Sequence, residues 1–156
     1  MEHEIDRAQV ITSVVTEMLE NTSPELKADG YIHLFGVAQT AVLLAKKRNL
    51  STELAHIIGL LHDYYYYHTG DRENHASKGG DMVLPMLAKS GLFSVCEIGN
   101  IALAVASHSC KDNIGGAYEE LIKDADVLQH ALMNGGEIAD KGHGERFEKI
   151  KEELCL

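Results

Sequence analysis

The chain has no tryptophan, two prolines and three cysteines, and each shortage excludes a class of structure. Cys96, Cys110 and Cys155 show no CxxC spacing, and no secretory leader is expected ahead of them. Neither a disulfide framework nor a thiolate zinc staple is therefore expected, and the thiols read as free in a reducing cytoplasm. No apolar run approaches the ~20 residues of a membrane span, so no membrane partner is expected. Lys and Arg number 14 against 24 Asp and Glu, a formal charge of −10. Cations so dispersed offer no basic stripe to neutralise phosphates, and duplex nucleic acid is not an expected partner. No segment alternates apolar and polar residues over the length of a strand, and no internal repeat is visible. Few prolines suit helices, and 156 residues suit one domain over 1–156, burying about 68–70% of its unfolded surface. The expectation is a single all-α domain.

What is present is helical periodicity. Ala8, Ile11, Val15 and Met18 form an amphipathic stripe that Asp6 can start, and residues 21–30 read as a turn-rich connection. Leu34, Val37, Ala38, Ala41, Leu44 and Ala45 mark a second helix, with His33 at its start and on its inward edge. Ser51 suits the N-cap of a nearly all-apolar helix running to about Tyr65, after which 66–73 reads as a loop. Asn74 is placed to cap a helix carrying His75, and Pro85 should kink or end that helix. Ser94 and Glu97 form a capping box ahead of Ile98, Ile101, Ala102 and Val105, over which His108 stacks. Leu121, Ala125, Leu128 and Leu132 mark another helix. Gly142-His143-Gly144 then breaks the chain before a last helix over 145–154, whose Phe147, Ile150 and Leu154 can dock on the domain or on a partner subunit of a homo-oligomer.

The pair His62-Asp63 ends the apolar run from Leu54 to Leu61. Neighbours on a helix project about 100° apart, so an imidazole and a carboxylate there can grip one ion from two sides. A buried carboxylate also needs a cation or a polar network to be tolerated. Further candidates stand along the chain in order: His33 upstream, then His75, His108, Asp124 and Asp126. Asp124 and Asp126 both fall at the margins of their apolar stripe, so periodicity does not choose between them.

This order resembles the HD superfamily of metal-dependent phosphohydrolases. The resemblance covers about 31–132 and rests on YIHLFGVA around His33, GLLHD ending at Asp63, HASKG from His75, VASHS around His108 and DADVL from Asp124. It implies an HD-type helical fold and makes Asp126, rather than Asp124, the closing ligand. It further implies that Asp63 bridges two ions, with His33, His62 and Asp126 completing one and His75 and His108 the other. Nitrogen and oxygen donors without nearby thiols suit one or two divalent transition metals such as Mn, Fe, Co, Ni or Zn. Such ions activate water and hold a phosphate oxygen, so the implied reaction is hydrolysis of a nucleotide or other small phosphoester. They also give an acidic protein a locally positive spot for an anionic substrate.

Many members of the superfamily carry Glu or Lys three residues after the doublet, where this chain has Tyr66. A phenol titrating near 10 is a poor base at neutral pH. Asp71 or Glu73, or the activated water itself, is left to move protons, and Lys78, Lys111 and Arg72 are the cations near enough in sequence to touch phosphate. The run Tyr64 to Tyr67 offers rings for stacking or packing, and His130, one turn after Asp126, is a candidate to support it. His3, His56, His68 and His143 read as ordinary polar residues. Two other readings are carried beside hydrolysis: a di-iron oxygenase of the HD type, and a metal- or nucleotide-binding regulator without turnover.

Overall fold

The computed structural model describes residues 6–137 and 143–156. Among them are eight helices and no strand: α1 (Arg7–Glu20), α2 (Pro24–Lys47), α3 (Thr52–Leu61), α4 (Tyr64–Thr69), α5 (His75–Ser90), α6 (Val95–Ser107), α7 (Ala117–Met133) and α8 (Gly144–Leu154). His3 and Gly142 lie outside the described residues.

The start signals for α1, α3 and α6 act as the sequence suggests. Asp6 and Ser51 accept the Gln9 and Leu54 amides, and Ser94 and Glu97 close their capping box in both directions. The stretch expected to be turn-rich behaves differently. Ser23 caps α2, Pro24 takes its first turn, and the helix runs unbroken through 24–47. His33 therefore stands in the third turn rather than at a helix start. Gly30 sits inside that helix for want of room: a Cβ there would lie 2.4 Å from Leu19 Cδ2 and 3.0 Å from Tyr67 Cδ1.

The expected loop after the doublet is also shorter than the pattern suggests. α3 stops at Leu61, and Tyr64–Thr69 forms its own short helix. That helix ends where Gly70 turns left-handed at φ 76° and its N–H returns to the Tyr66 carbonyl. Asn74 does precede α5, but in a left-handed conformation without a side-chain cap. Pro85 does not end α5, which runs on to Ser90. Both Pro85 and Asp81, whose carbonyl the proline cannot satisfy, are exposed, so water can serve that carbonyl.

The apolar core lies between α2 and α3 and is closed by α1, α5, α6 and α7. Leu34, Val37, Ala38, Ala41 and Leu44 of α2 meet Ala55, Ile57, Ile58, Leu60 and Leu61 of α3, all buried. Gly59 allows their closest approach, since a Cβ there would stand 2.4 Å from Ala38 Cα. Leu132, expected on the core stripe of α7, is instead 58% exposed, because the last turn of α7 runs past the edge of the core. α8 docks on its own domain: Phe147 and Ile150 are buried, and Arg48–Glu153 and Arg146–Asp124 ion pairs flank them. No helix among the described residues is long and apolar enough to cross a membrane.

Candidate metal centre

Six side chains from five helices and their junctions meet at one end of the core. His62 closes α3 and Asp63 follows with φ −111° and ψ 17°, so the helix breaks between the two members of the doublet and α4 restarts after them. His33 comes from α2, His75 is the first residue of α5, His108 closes α6, and Asp126 lies midway along α7. His33, His62, His108 and Asp126 are buried, His62 completely, while Asp63 and His75 are partly buried.

Asp63 stands at the centre with its two oxygens facing opposite ways. Its Oδ2 lies 3.4 Å from His33 Nε2 and 3.5 Å from His62 Nε2, while its Oδ1 lies 3.0 Å from His108 Nε2 and 3.2 Å from His75 Nε2. Asp126 Oδ1 comes within 3.6 Å of His33 Nε2. Two triads, His33/His62/Asp126 and His62/Asp63/His108, have donor atoms all within 4.8 Å of one another.

Hydrogen bonds on the far side of each ring fix which nitrogen points inward. The Nδ1–H of His62 donates to the Gly59 carbonyl at 2.7 Å, that of His108 to Val105 at 2.7 Å, and that of His75 to Arg72 at 3.0 Å. His33 donates its Nδ1–H to Gln129 Oε1 at 3.1 Å. Each neutral imidazole therefore turns an Nε2 lone pair toward the carboxylates, and these lone pairs meet in twos: His33 with His62 at 3.0 Å, and His75 with His108 at 3.2 Å. Two lone pairs at such distances repel unless a cation or a proton lies between them. Asp63 Oδ1 and Asp126 Oδ1 are likewise buried without a hydrogen-bond donor, a costly state for a carboxylate. A divalent ion on each side of Asp63 would satisfy these atoms, so the residues present fit metal, and nitrogen with oxygen donors suits the borderline transition series.

The protonation equilibria show the same demand for positive charge. Burial works against charging His33, but the Asp63 and Asp126 carboxylates outweigh it and hold its pKa above the ordinary value. The Asp63 hydrogen bond raises His75 likewise. Complete burial pulls His62 down to about 4. Burial disfavours the charged forms of Asp63 and Asp126, yet the surrounding imidazoles, with Lys111 beside Asp126, hold both carboxyls far below the usual range.

Around the centre, Lys111 Nζ donates to Asp126 Oδ2 at 2.6 Å and to the His108 carbonyl at 3.2 Å, leaving Oδ1 free toward His33. His130 Nε2 stands 3.3 Å from that Oδ1, with its ring at the exposed rim. Asp124, the alternative the periodicity left open, faces away from the centre: it pairs with Arg48 at 2.6 Å and Arg146 at 2.5 Å under α8. Asp71 and Lys78 pair with each other at 2.8 Å on the half-exposed rim, where Tyr65 also donates to Asp71. Arg72 lies against the Tyr66 ring. Tyr67 is buried and donates to Asp29, while Tyr64 stacks on His68. Gln129 had no sequence signal of its own. Standing three residues after Asp126, it shares that face of α7 and reaches His33.

The family model described as HD domain matches residues 30–131, a stretch that contains all six converging side chains. The chain belongs to the HD-domain family, a family of the metal-dependent hydrolase type whose domains bind divalent metals. No curated protein and no solved structure matches the chain.

Proposed function

We propose that this protein is a metal-dependent phosphohydrolase acting on a nucleotide or another small phosphoester. The observation that carries the reading is the Asp63 carboxylate set between two pairs of imidazoles, each ring held by its Nδ1–H with its lone pair inward. Divalent ions bound on either side would polarise a phosphate oxygen and bring a coordinated water to titrate near neutrality. The chain supports that chemistry by orientation: Gly59, Val105, Arg72 and Gln129 fix the ring tautomers, and Lys111 leaves one oxygen of Asp126 facing the centre. His33, His62, Asp63 and Asp126, with His75 and His108 for a second ion, are the assigned ligands, and Mn, Fe, Co, Ni and Zn are the metals this donor set suits.

Asp71 and Lys78 remain in the proposal as rim groups. Their mutual ion pair holds the Asp71 carboxyl below the usual range, through the Lys78 hydrogen bond first, which weakens it as a base. Asp71→Asn decides the matter: loss of turnover at unchanged metal content supports a proton-moving role, and unchanged turnover removes it. Three exposed free thiols support a reducing, cytoplasmic setting.

The test of the reading is phosphate release from a panel of nucleotides and generic aryl phosphates by the Mn- or Co-loaded chain. Turnover that disappears in His62→Ala with the helical spectrum kept supports it. Substrate-dependent oxygen uptake by a two-iron form would assign the centre to oxygen activation instead, and metal binding without turnover on any member of the panel would leave a regulator.

A further inference from the structure

Three cations ring the metal centre, and two of them are already committed. Lys111 is bound to Asp126 and Lys78 to Asp71. Arg72 has no carboxylate partner among the described residues. It is nevertheless held in place. Its guanidinium carbon lies 4.2 Å from the centre of the Tyr66 ring, and its Nη2 donates to the Tyr66 hydroxyl at 2.7 Å. Its own carbonyl accepts the Nδ1–H of His75 at 3.0 Å.

Both tethers lead back to the centre. Tyr66 lies in the first turn of α4, the helix that starts directly after Asp63, and His75 is one of the rings facing Asp63 Oδ1. The guanidinium stands near enough for its charge to act on both Asp63 and His75. One of its five N–H donors is used by Tyr66, and the remaining four are directed by a ring already stacked on the fork. A cation ordered before its ligand arrives loses little further freedom on binding.

We infer that Arg72, stacked on Tyr66 and tied through its carbonyl to His75, is the anion clamp of the site and selects a terminal phosphate. The inference rests on the phosphohydrolase reading and narrows its substrate class. A planar fork takes two phosphate oxygens at once. A terminal phosphoryl group has three non-bridging oxygens, enough to face the metal side with one and the fork with two. An internal diester has only two, so it satisfies one or the other in part. Phosphomonoesters and terminal phosphates of anhydrides are thereby favoured over diesters.

The experiment uses the full chain loaded with Mn2+, with inorganic phosphate as the calorimetric probe and p-nitrophenyl phosphate against bis(p-nitrophenyl) phosphate as substrates. Arg72→Ala should weaken phosphate binding roughly 10- to 100-fold, the scale of a charge-assisted bidentate contact, with metal per chain unchanged. It should raise KM for the monoester and leave the diester within about threefold. Arg72→Lys keeps the charge without the fork and should recover only part of the loss, and Tyr66→Phe, which keeps the ring but not the hydroxyl, should fall between parent and Arg72→Ala. Phosphate binding by Arg72→Ala within about twofold of the parent overturns the clamp, and so does an equal loss on monoester and diester. If the parent holds neither metal nor phosphate, the underlying reading has failed and the clamp with it. If the parent holds both and Arg72→Ala is indistinguishable from it, the clamp alone has failed.

Discussion

The substitution Gly59→Ala places one methyl group where two helices leave it no room. An ideal Cβ at Gly59 would lie 2.4 Å from Ala38 Cα, 2.8 Å from Ala38 N and 3.1 Å from Ala38 Cβ. Carbon atoms in contact settle near 3.5–4.0 Å, so α2 and α3 must part by about 1 Å. The obstruction is backbone, which cannot rotate away. Overpacking of this kind costs about 1–3 kcal/mol and here stands at the upper end, while the better helix propensity of alanine returns up to about 1 kcal/mol. A net loss of about 2 kcal/mol lowers Tm by roughly 4–8 °C in a chain of this size. Gly99, on α6, provides the control: a Cβ there meets nothing within 4 Å. Gly99→Ala should gain about 0.5–1 kcal/mol from propensity alone.

The same clash reaches the metal centre, because His33 stands five residues before Ala38 on α2 and His62 three residues after Gly59. Parting the helices draws apart the two Nε2 atoms that lie 3.0 Å from each other. Urea and thermal unfolding followed by far-ultraviolet dichroism, with and without chelator, give both stabilities. Calorimetric titration with Mn2+ gives the affinity, which should fall in Gly59→Ala and hold in Gly99→Ala. Shifts of the same sign in the two variants, or a Gly59→Ala chain as stable as its parent, would refute the packing argument.

Other outcomes follow from the same geometry. Asp124→Ala leaves the Arg48 and Arg146 guanidinia without their shared partner and should cost about 2–3 kcal/mol by urea unfolding, with metal content unchanged; a loss of metal would mean that Asp124, not Asp126, closes the site. Gln129→Leu removes the acceptor that fixes the His33 tautomer and should weaken metal binding by roughly 10- to 100-fold without altering the helical spectrum; unchanged affinity would return Gln129 to a packing role. Acid should loosen α8. The Arg48 hydrogen bond holds Glu153 below its ordinary 4.5. Burial opposes ionisation of Glu120, but Lys123, the Gly115 amide and Arg146 overcome it and hold that carboxyl down too. A depressed carboxylate contributes stability that is complete above its unfolded pKa and lost as pH falls through the folded one. Hydrogen exchange on 144–154 should therefore accelerate as pH drops below about 4.5, after correction for the intrinsic rate, and a protection factor independent of pH there would contradict the assignment.

The converging positions were legible because a metal site would impose residue type, order and inward placement together. His62-Asp63 at the end of an apolar run, with His33, His75 and His108 near helix ends or on core faces, is a pattern that packing alone does not produce. Asp124 and Asp126 could not be separated by periodicity, since both sit at the margin of one stripe. What separates them is α8, whose Arg146 claims Asp124 from a distant part of the chain. The start of α2 was obscured by Asp29 and Gly30, which resemble a turn locally, although Ser23-Pro24 marked the true beginning. Gly30 owes its place to Leu19 and Tyr67, neighbours that only the folded chain reveals. α4 is too short to show a period, and four successive tyrosines carry no polar alternation to orient them. Gln129 and the pairing of Lys111 with Asp126 needed the third dimension, because an amide or an ammonium has no meaning for a metal site until its partner is known.

Elemental analysis of the purified chain, dialysed against Mn2+ or Co2+ and compared with Asp63→Ala, bears on the central claim without reference to any substrate. The arrangement of four inward lone pairs around Asp63 predicts one or two ions per chain in the parent and a loss of bound metal in the variant at an unchanged helical spectrum. A parent that retains no divalent ion, or an Asp63→Ala chain that retains as many as its parent, would contradict it.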